Sequence, residues 1–437
     1  MPIDFRIRDY ASPRLLFSLH RTMSRLERAD PAELRRYQAS RLRAVLSHAQ
    51  AACPHWRDTF KERGFDPRDL QDPAQLQQLP VLTKDRLRRE GDNLRDRSAR
   101  RISWSATSGT SGEPLRVALD HRARALEFSF YRRAWSWGGY RLGAPFAELG
   151  TYHFLRSGRD PSRLLHWQPT LRRLMINSSR VSPAELPEVL RALQRHRPRF
   201  LKGLPSALQH LVRCAELSET SVPPMRAVFS AGEVVTARAR SQIQGAFRCR
   251  LFDAYGHMER TMAASQCEEG RYHIHGAYGV LEVEGVERAE DGVESGRALG
   301  TGIHNLAQPL VRYDTGDRVI LDPDPAPCGC GRTLPTLRAI EGRVVDVITT
   351  PDGRALSGLP MVFDAIAGVD VLQLVQAAGD VVVARVVPGR GWTDATEAAL
   401  ARAAGPAIGA GMRFEVRRVS AEDLARTETG KIRPVVT

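Results

Sequence analysis

No stretch of this 437-residue chain approaches the ~18–20 consecutive apolar residues that a membrane-spanning helix needs. The opening residues, Met1 to Arg8, lack the apolar core of a signal peptide. Six cysteines in so long a chain are too sparse for a disulfide framework. Lysine is scarcer still. Of 64 basic residues only Lys61, Lys84, Lys202 and Lys431 are lysine, and the other sixty are arginine. So strong a bias is most simply a coding preference, which discounts the net charge of +14 as a nucleic-acid signal. Residues 1–101 carry 20 Arg and 2 Lys against 14 Asp and Glu. No nucleic-acid motif and no aromatic–basic interleaving accompany that excess. Mixed-sign charge along helices marks a solvated face. These absences lead us to expect a cytoplasmic protein with neither a membrane nor a nucleic acid as partner.

What is present is ordinary globular composition, 42% apolar and 26% charged. The length exceeds one compact core, since single cores stop growing near ~250–300 residues. Residues 14–64 read as helices, with Leu15, Leu16, Leu19 and Met23 on one stripe and Leu42, Val45 and Leu46 on another. Pro31 after Asp30 signals a helix start. From about residue 103, short apolar runs at 147–149, 200–201, 227–230 and 251–252 alternate with helical patterns at 184–195, 206–217 and 237–246. That alternation predicts a largely parallel sheet covered by helices. Beyond 343 the runs 371–376, 381–387 and 412–419 read as strands and 394–403 as a helix. The expected architecture is α/β: a large N-terminal α/β domain over 1–342, mainly helical to 102, and a smaller α+β domain over 343–437.

Ser103-Trp104-Ser105-Ala106-Thr107-Ser108-Gly109-Thr110-Ser111-Gly112-Glu113-Pro114 gathers hydroxyls and glycines in the way a polyphosphate requires. Glycine lets backbone N–H groups close on an anion, and Ser and Thr add donors. It is not a Walker loop, because Glu113-Pro114 follows Gly112. A plain Ser/Gly linker is the alternative.

Ser108-Gly109-Thr110-Ser111-Gly112-x-Pro resembles the nucleotide-phosphate loop of the adenylate-forming superfamily, which includes acyl-CoA synthetases, luciferases and peptide-synthetase adenylation domains. Further resemblances follow in the family's order. Ser230-Ala231-Gly232-Glu233 is similar to the segment lining the adenine pocket. Tyr255-Gly256-His257-Met258-Glu259 is similar to the motif whose aromatic stacks on adenine and whose Glu holds Mg²⁺. Arg312-Tyr313-Asp314-Thr315-Gly316-Asp317 resembles the motif whose last Asp binds the ribose hydroxyls. Gly342-Arg343 resembles the hinge, and Thr429-Gly430-Lys431 the C-terminal lysine motif. Leu79 to Arg86, Leu201 to Ser206 and Cys328 to Arg332 resemble the phenylacetate–CoA ligase branch, and within it the capsule-biosynthesis-type members.

The resemblance implies an AMP-forming acid–CoA ligase using ATP, Mg²⁺ and CoA, with a mobile C-terminal domain. It implies nucleotide binding by Ser108, Gly109, Thr110, Ser111, Gly112, Ala231, Gly232, Glu233, Tyr255, Gly256, Asp317 and Arg343. Lys431, Glu259 and Thr110 would be catalytic, and Tyr152, His153, Phe154 and Ser230 would line the acyl site. For Tyr152 to Phe154 a structural aromatic cluster is the alternative. For Lys431 it is an exposed tail lysine, and for Glu259 a surface glutamate. The implied partners are a carboxylic acid, aryl by resemblance, and CoA or another acceptor such as an amine, a hydroxyl or a carrier protein. A catalytically silent binding protein is the rival from outside enzymes, and a dimer is compatible with the sequence. Three positions depart from the family pattern. Glu113 replaces a common Lys, His257-Met258 replaces x-Thr, and Val345 stands where the hinge Asp is expected.

Cys267, His273, Cys328 and Cys330 would together make a closed S₃N set of the kind structural zinc prefers. Some members of the resembled branch carry such a site, with the matching histidine at 273. His275 is the alternative ligand, because i and i+2 on a strand share a face. Reduced, unliganded cysteines beside surface histidines are the other reading. Cys53, Cys214 and Cys249 read as ordinary core residues.

Overall fold

A computed structural model describes residues 13–106, 115–150, 154, 162–233, 235, 237–288, 294–322, 327–341, 348–353, 355–356, 359–363, 366–389, 391–409, 411–420, 423–425, 433 and 435–436. The N-terminal third is helical, as its periodicity predicts. α1 (Pro13–Leu26) turns Leu16, Leu19, Met23 and Leu26 inward. α2 (Pro31–Ala52) starts where Asp30 accepts from the Ala32 N–H at 2.6 Å, with Pro31 in the first turn. α3 (Pro54–Arg63) follows and ends on Gly64 in the left-handed region. After two short 3₁₀ turns, Thr83 caps α4 (Lys84–Glu90).

β1 (Ser103–Ala106) and β2 (Arg116–Leu119) form a separate antiparallel ribbon that flanks the phosphate-loop sequence. α5 (His121–Trp137) comes next, capped by Asp120, whose second oxygen takes the Leu306 N–H. The main sheet is built from β3 (Phe146–Leu149), β4 (Leu165–Gln168), β5 (Arg173–Ile176), β6 (Phe200–Gly203), β7 (Ala227–Ala231), β8 (Arg250–Gly256), β9 (Ala263–Gln266), β10 (Tyr272–Ile274), β11 (Gly279–Arg288), β12 (Glu294–Gly302), β13 (Tyr313–Leu321) and β14 (Thr336–Glu341). Its order is 11-12-13-14-10-9-8-7-6-3-5-4. Between the strands run α6 (Leu186–His196), α7 (Pro205–Leu217) and α8 (Ala237–Phe247).

The expectation of a largely parallel sheet needs correction. Only β5, β3, β6, β7 and β8 run parallel, and every pairing from β8 to β11 is antiparallel. The reason lies in the connections. Helices α6 to α8 supply the crossovers a parallel pair needs, whereas the described residues between 257 and 341 contain no helix, and the strands there pair antiparallel.

The parallel strands alternate their faces. Phe146, Phe200 and Phe229 pack toward α5, while Ala147, Leu149, Leu201 and Val228 pack with residues of α6, α7 and α8. Glu148 lies in this buried layer between two cations, accepting from Lys202 Nζ at 2.6 Å and Arg173 Nη1 at 2.9 Å. All five strands end on one side, bringing Leu149, Gly203, Ala231 and Gly256 to a common edge, where open α/β sheets bind ligands.

After a two-stranded ribbon of β15 (Ile348–Thr349) and β16 (Ala355–Leu356), a four-stranded sheet follows in the order β19-β18-β17-β20: β19 (Arg413–Arg418), β18 (Val381–Pro388), β17 (Val369–Ala378) and β20 (Val435–Val436). One long helix (Asp394–Ile408) covers it through Leu400, Ala404 and Ala407, all fully buried. The expected strands and helix are all present, with the helix longer at its C-terminus. The boundary residues Gly342 and Arg343 lie outside the described residues.

Two glycines decide how β11 and β12 meet the chain that leaves β8. A Cβ on Gly279 would sit 1.8 Å from the Thr261 carbonyl oxygen, and one on Gly300 would sit 2.0 Å from Thr261 Oγ1. Gly279→Ala is therefore expected to destabilise the protein by at least the ~1–3 kcal/mol typical of an overpacked core. Urea denaturation measures it, and a midpoint equal to wild type would contradict the crossing.

Candidate active site and metal centre

The site gathers on the ends of β8 and β13. Tyr255, at the end of β8, donates its hydroxyl to Asp317 Oδ2 at 2.5 Å. Tyr313, at the start of β13, donates to Glu259 Oε1 at 2.5 Å. The other Glu259 oxygen faces His257 Nδ1 at 3.2 Å. On the other side of the ring, His257 Nε2 lies 3.1 Å from Thr261 Oγ1. Three of the sequence-predicted residues, half-buried Tyr255 and buried Glu259 and Asp317, are thus brought into one cluster although 62 positions separate Tyr255 from Asp317.

The two carboxylates are driven in opposite directions. Burial would raise the pKa of Glu259, but His257 and Tyr313 outweigh it and hold the group below its ordinary value. Asp317 is pushed above its ordinary value by burial, which the Tyr255 bond only partly offsets. The Tyr255 hydroxyl goes well up through burial and the neighbouring Asp317 charge. A firm anion and a more easily neutralised acid therefore stand side by side.

Ser230, Ala231, Gly232 and Glu233 leave the end of β7 beside this cluster, Gly232 with φ +93°. Ser230 turns its hydroxyl inward to Asp253 Oδ1 at 2.5 Å. Asp253 also accepts from Tyr272 at 2.5 Å, so its buried carboxylate bridges β7 and β10. Gly256 follows Tyr255 on β8, and Phe154 is buried. Ser108, Gly109, Thr110, Ser111, Gly112, Tyr152, His153, Arg343 and Lys431 lie outside the described residues.

Sequence reasoning gave no role to Tyr313, Thr261 or Asp253. Tyr313 sits inside a motif singled out for its Asp, and only the fold reveals that its hydroxyl meets Glu259. For Thr261 and Asp253 nothing in the sequence pattern marks the contact.

A second cluster occupies the back of the antiparallel half. Ligand atoms of Cys267, His273, Cys328 and Cys330 all lie within 4.8 Å of one another. Cys267 Sγ is 3.7 Å from Cys328 Sγ, and Cys330 Sγ is 3.3 Å from His273 Nε2. A tetrahedral zinc with Zn–S bonds of ~2.3 Å has S···S edges of about 3.8 Å, so the residues fit that ion. His273 Nδ1 faces the Leu334 carbonyl at 3.3 Å, which leaves Nε2 for a metal. His275 instead meets Ser265 Oγ at 2.7 Å and stacks on Trp137. Both histidines are buried, not on the surface. Burial pushes the Cys267 thiol up to about 12 and the His273 pKa down to about 4. Arg332 is the nearby cation. Burial alone would raise the Cys330 pKa, but hydrogen bonds from Arg332 bring it below its ordinary value.

Comparison with known proteins bears on the family and the fold. The family model described as AMP-binding enzyme matches residues 35–287. Protein CapK of Staphylococcus aureus is 23% identical over 257 residues, 57% of this chain and 55% of that protein. The match thus spans about half of the length of that relative. Phenylacetate-coenzyme A ligase of Thermus thermophilus is 26% identical over 342 residues, 74% of this chain and 73% of that protein. Both agree with the branch resemblance read from the motifs. Among solved structures, 2-hydroxyisobutyryl-CoA ligase in complex with 2-HIB-AMP and CoA superposes with a TM-score of 0.58. It is 21% identical and covers 94% of this chain and 91% of that one, a likeness of fold. Among the described residues no helix is long and apolar enough to cross a membrane.

The back cluster predicts about one zinc per chain, held as a closed four-ligand site. Elemental analysis of protein purified without added metal is the measurement. Cys330→Ser is expected to lose the metal and lower the melting temperature, whereas His275→Gln keeps the metal. Native protein with less than about a tenth of an equivalent of zinc would contradict the four-ligand site.

Proposed function

The chain belongs to the AMP-binding enzyme family, and on that premise we propose that it activates a carboxylic acid with ATP and passes the acyl group to CoA. In the first step a carboxylate oxygen bonds to the α-phosphorus of ATP and pyrophosphate leaves. In the second the CoA thiol, losing its proton, attacks the acyl carbonyl and AMP leaves. The observation that supports this best is the pairing of Tyr255 with Asp317 and of Tyr313 with Glu259 at the ends of the strands.

Each group has a task in this reading. Tyr255 offers its ring to the adenine, with Ala231, Gly232, Glu233 and Gly256 beside it. Asp317 takes the ribose hydroxyls. Ser108 to Gly112 cradle the phosphates with Thr110 nearest the transferred charge, and Tyr152, His153, Phe154 and Ser230 bound the acyl group. Glu259, held as an anion, would hold Mg²⁺, whose charge offsets that of the phosphates. Lys431 bridges carboxylate and α-phosphate, where a compact ammonium suits the shifting charge. Residues 343–437 would form a domain that turns about Arg343 between the two steps, carrying Lys431 in and out. The similarity to phenylacetate-coenzyme A ligases supports an aryl acid as the substrate class.

ATP–pyrophosphate exchange across aryl, fatty and amino acids tests the reading. Exchange is expected with an aryl acid, followed by CoA-dependent thioester formation. Exchange without CoA consumption would point to another acceptor, and no exchange with any acid would remove the proposal. Lys431→Ala should lose ~10²–10³-fold in adenylation, the usual effect of one preorganised charge contact. The same variant should still form thioester from a supplied acyl-adenylate.

A further inference from the structure

The segment Leu79 to Lys84 marks the branch in sequence, but no step of the reaction uses it. In the fold it lies across the start of β13. Leu82 N–H donates to the Arg312 carbonyl at 3.0 Å, and Asp314 N–H donates back to the Leu82 carbonyl at 3.0 Å. Leu82 and Tyr313 thus form a parallel bridge. Arg312 Nη1 donates to the Leu79 carbonyl at 2.6 Å. Lys84 Nζ donates to the Thr315 carbonyl at 2.5 Å. Four hydrogen bonds over six residues stitch this strap to 312–315, and Leu79 and Leu82 are buried beneath it.

The stretch so held needs holding. Arg312 has φ +48° and Gly316 φ +76°. For arginine the left-handed region is a strained conformation that persists only where surroundings over-determine it. Arg312 is fixed further by Glu282 and by Thr301 Oγ1 on its N–H. Past Arg312 the turn to Asp317 leans on the Thr315 hydroxyl, bonded to Ala298, and on Lys84 from the opposite side. Displacing this turn moves Tyr313 and Asp317 together, because two residues flank Thr315 on either side.

We propose that Lys84 is a positioning residue for nucleotide recognition, fixing the Tyr313–Asp317 turn so that the Asp317 carboxylate meets the ribose hydroxyls. This rests on the reading of Asp317 as the ribose acceptor. A lysine suits the place, since its flexible stem lets one ammonium reach a main-chain oxygen from the first turn of α4. Arginine reaches as far with a donor, and methionine fills the stem without one.

Isothermal titration calorimetry of the full chain with ATP and with 2′,3′-dideoxy-ATP tests it without need of the acid. Wild type should favour ATP by about a hundredfold or more, the effect of losing hydroxyl bonds to a charged group. Asp317→Ala should abolish that preference. Lys84→Met should shrink it by roughly tenfold or more, as a misplaced contact does, with an unchanged melting temperature and unchanged affinity for the dideoxy analogue. Lys84→Arg should keep the preference. If Lys84→Met does not fold, Lys84→Gln, whose donor falls short of Thr315, takes its place in the same comparison. Loss of the preference in Asp317→Ala but not in the lysine variants overturns the role of Lys84. No preference in wild type, or none lost in Asp317→Ala, overturns the ribose reading and the inference with it.

Discussion

One steric constraint governs the site: the chain leaving β8 crosses β11 and β12 at Thr261, and only glycine at 279 and 300 lets it pass. The buried cluster around Glu259 and Asp317 hangs on that crossing. Thr261 fixes the His257 ring, His257 and Tyr313 fix Glu259, and Tyr255 meets Asp317 one turn away. In the sheet, β8 and β13 are separated by β9, β10 and β14. Their ends still touch, because β14 pairs only with the far part of β13, from Arg318 onward. The near part, paired with β12 at Tyr313 and Asp314, reaches the end of β8, and the strap at Leu82 holds it there.

The opposed behaviour of two neighbouring acids follows from what each one faces. Glu259 has two donors, one an imidazole that can carry charge, and stays ionised despite burial. For Asp317 the Tyr255 phenol only partly offsets burial, and its anion is disfavoured. Environments that push paired groups apart are how one pocket divides its chemistry. A committed anion suits a hard cation, and a carboxylate that readily shares a proton suits hydroxyl partners.

Much of this was legible in the sequence, and the exceptions have physical causes. The helices at 13–63 and the strands at 146–149, 200–203, 227–231 and 250–256 follow from apolar period and length. Asp30-Pro31 set a helix start at the expected place. The parallel expectation failed after residue 256 because local pattern does not encode strand direction, which the connections decide. The motif residues Tyr255, Glu259 and Asp317 were found as types in order. What pairs with them was not, since Tyr313 to Glu259 spans 54 positions and no local rule couples them. The choice between His273 and His275 was likewise open until Ser265 was seen to occupy His275.

The cysteine cluster has a consequence in polymer terms. Cys267 leaves β9 and Cys328 precedes β14, 61 positions apart, so an ion joining them would close a loop holding β10 to β13. Tethering chain ends at that separation removes about 4 kcal/mol of unfolded-state entropy on a cross-link model. The enclosed residues include Tyr313, Asp317 and both crossing glycines. A metal at the far end of β9 from Tyr255 would then act less as a local staple than as a limit on how far the unfolded chain can spread. The ordering of the Tyr313–Asp317 turn would be drawn partly from a bond made at the other end of β9.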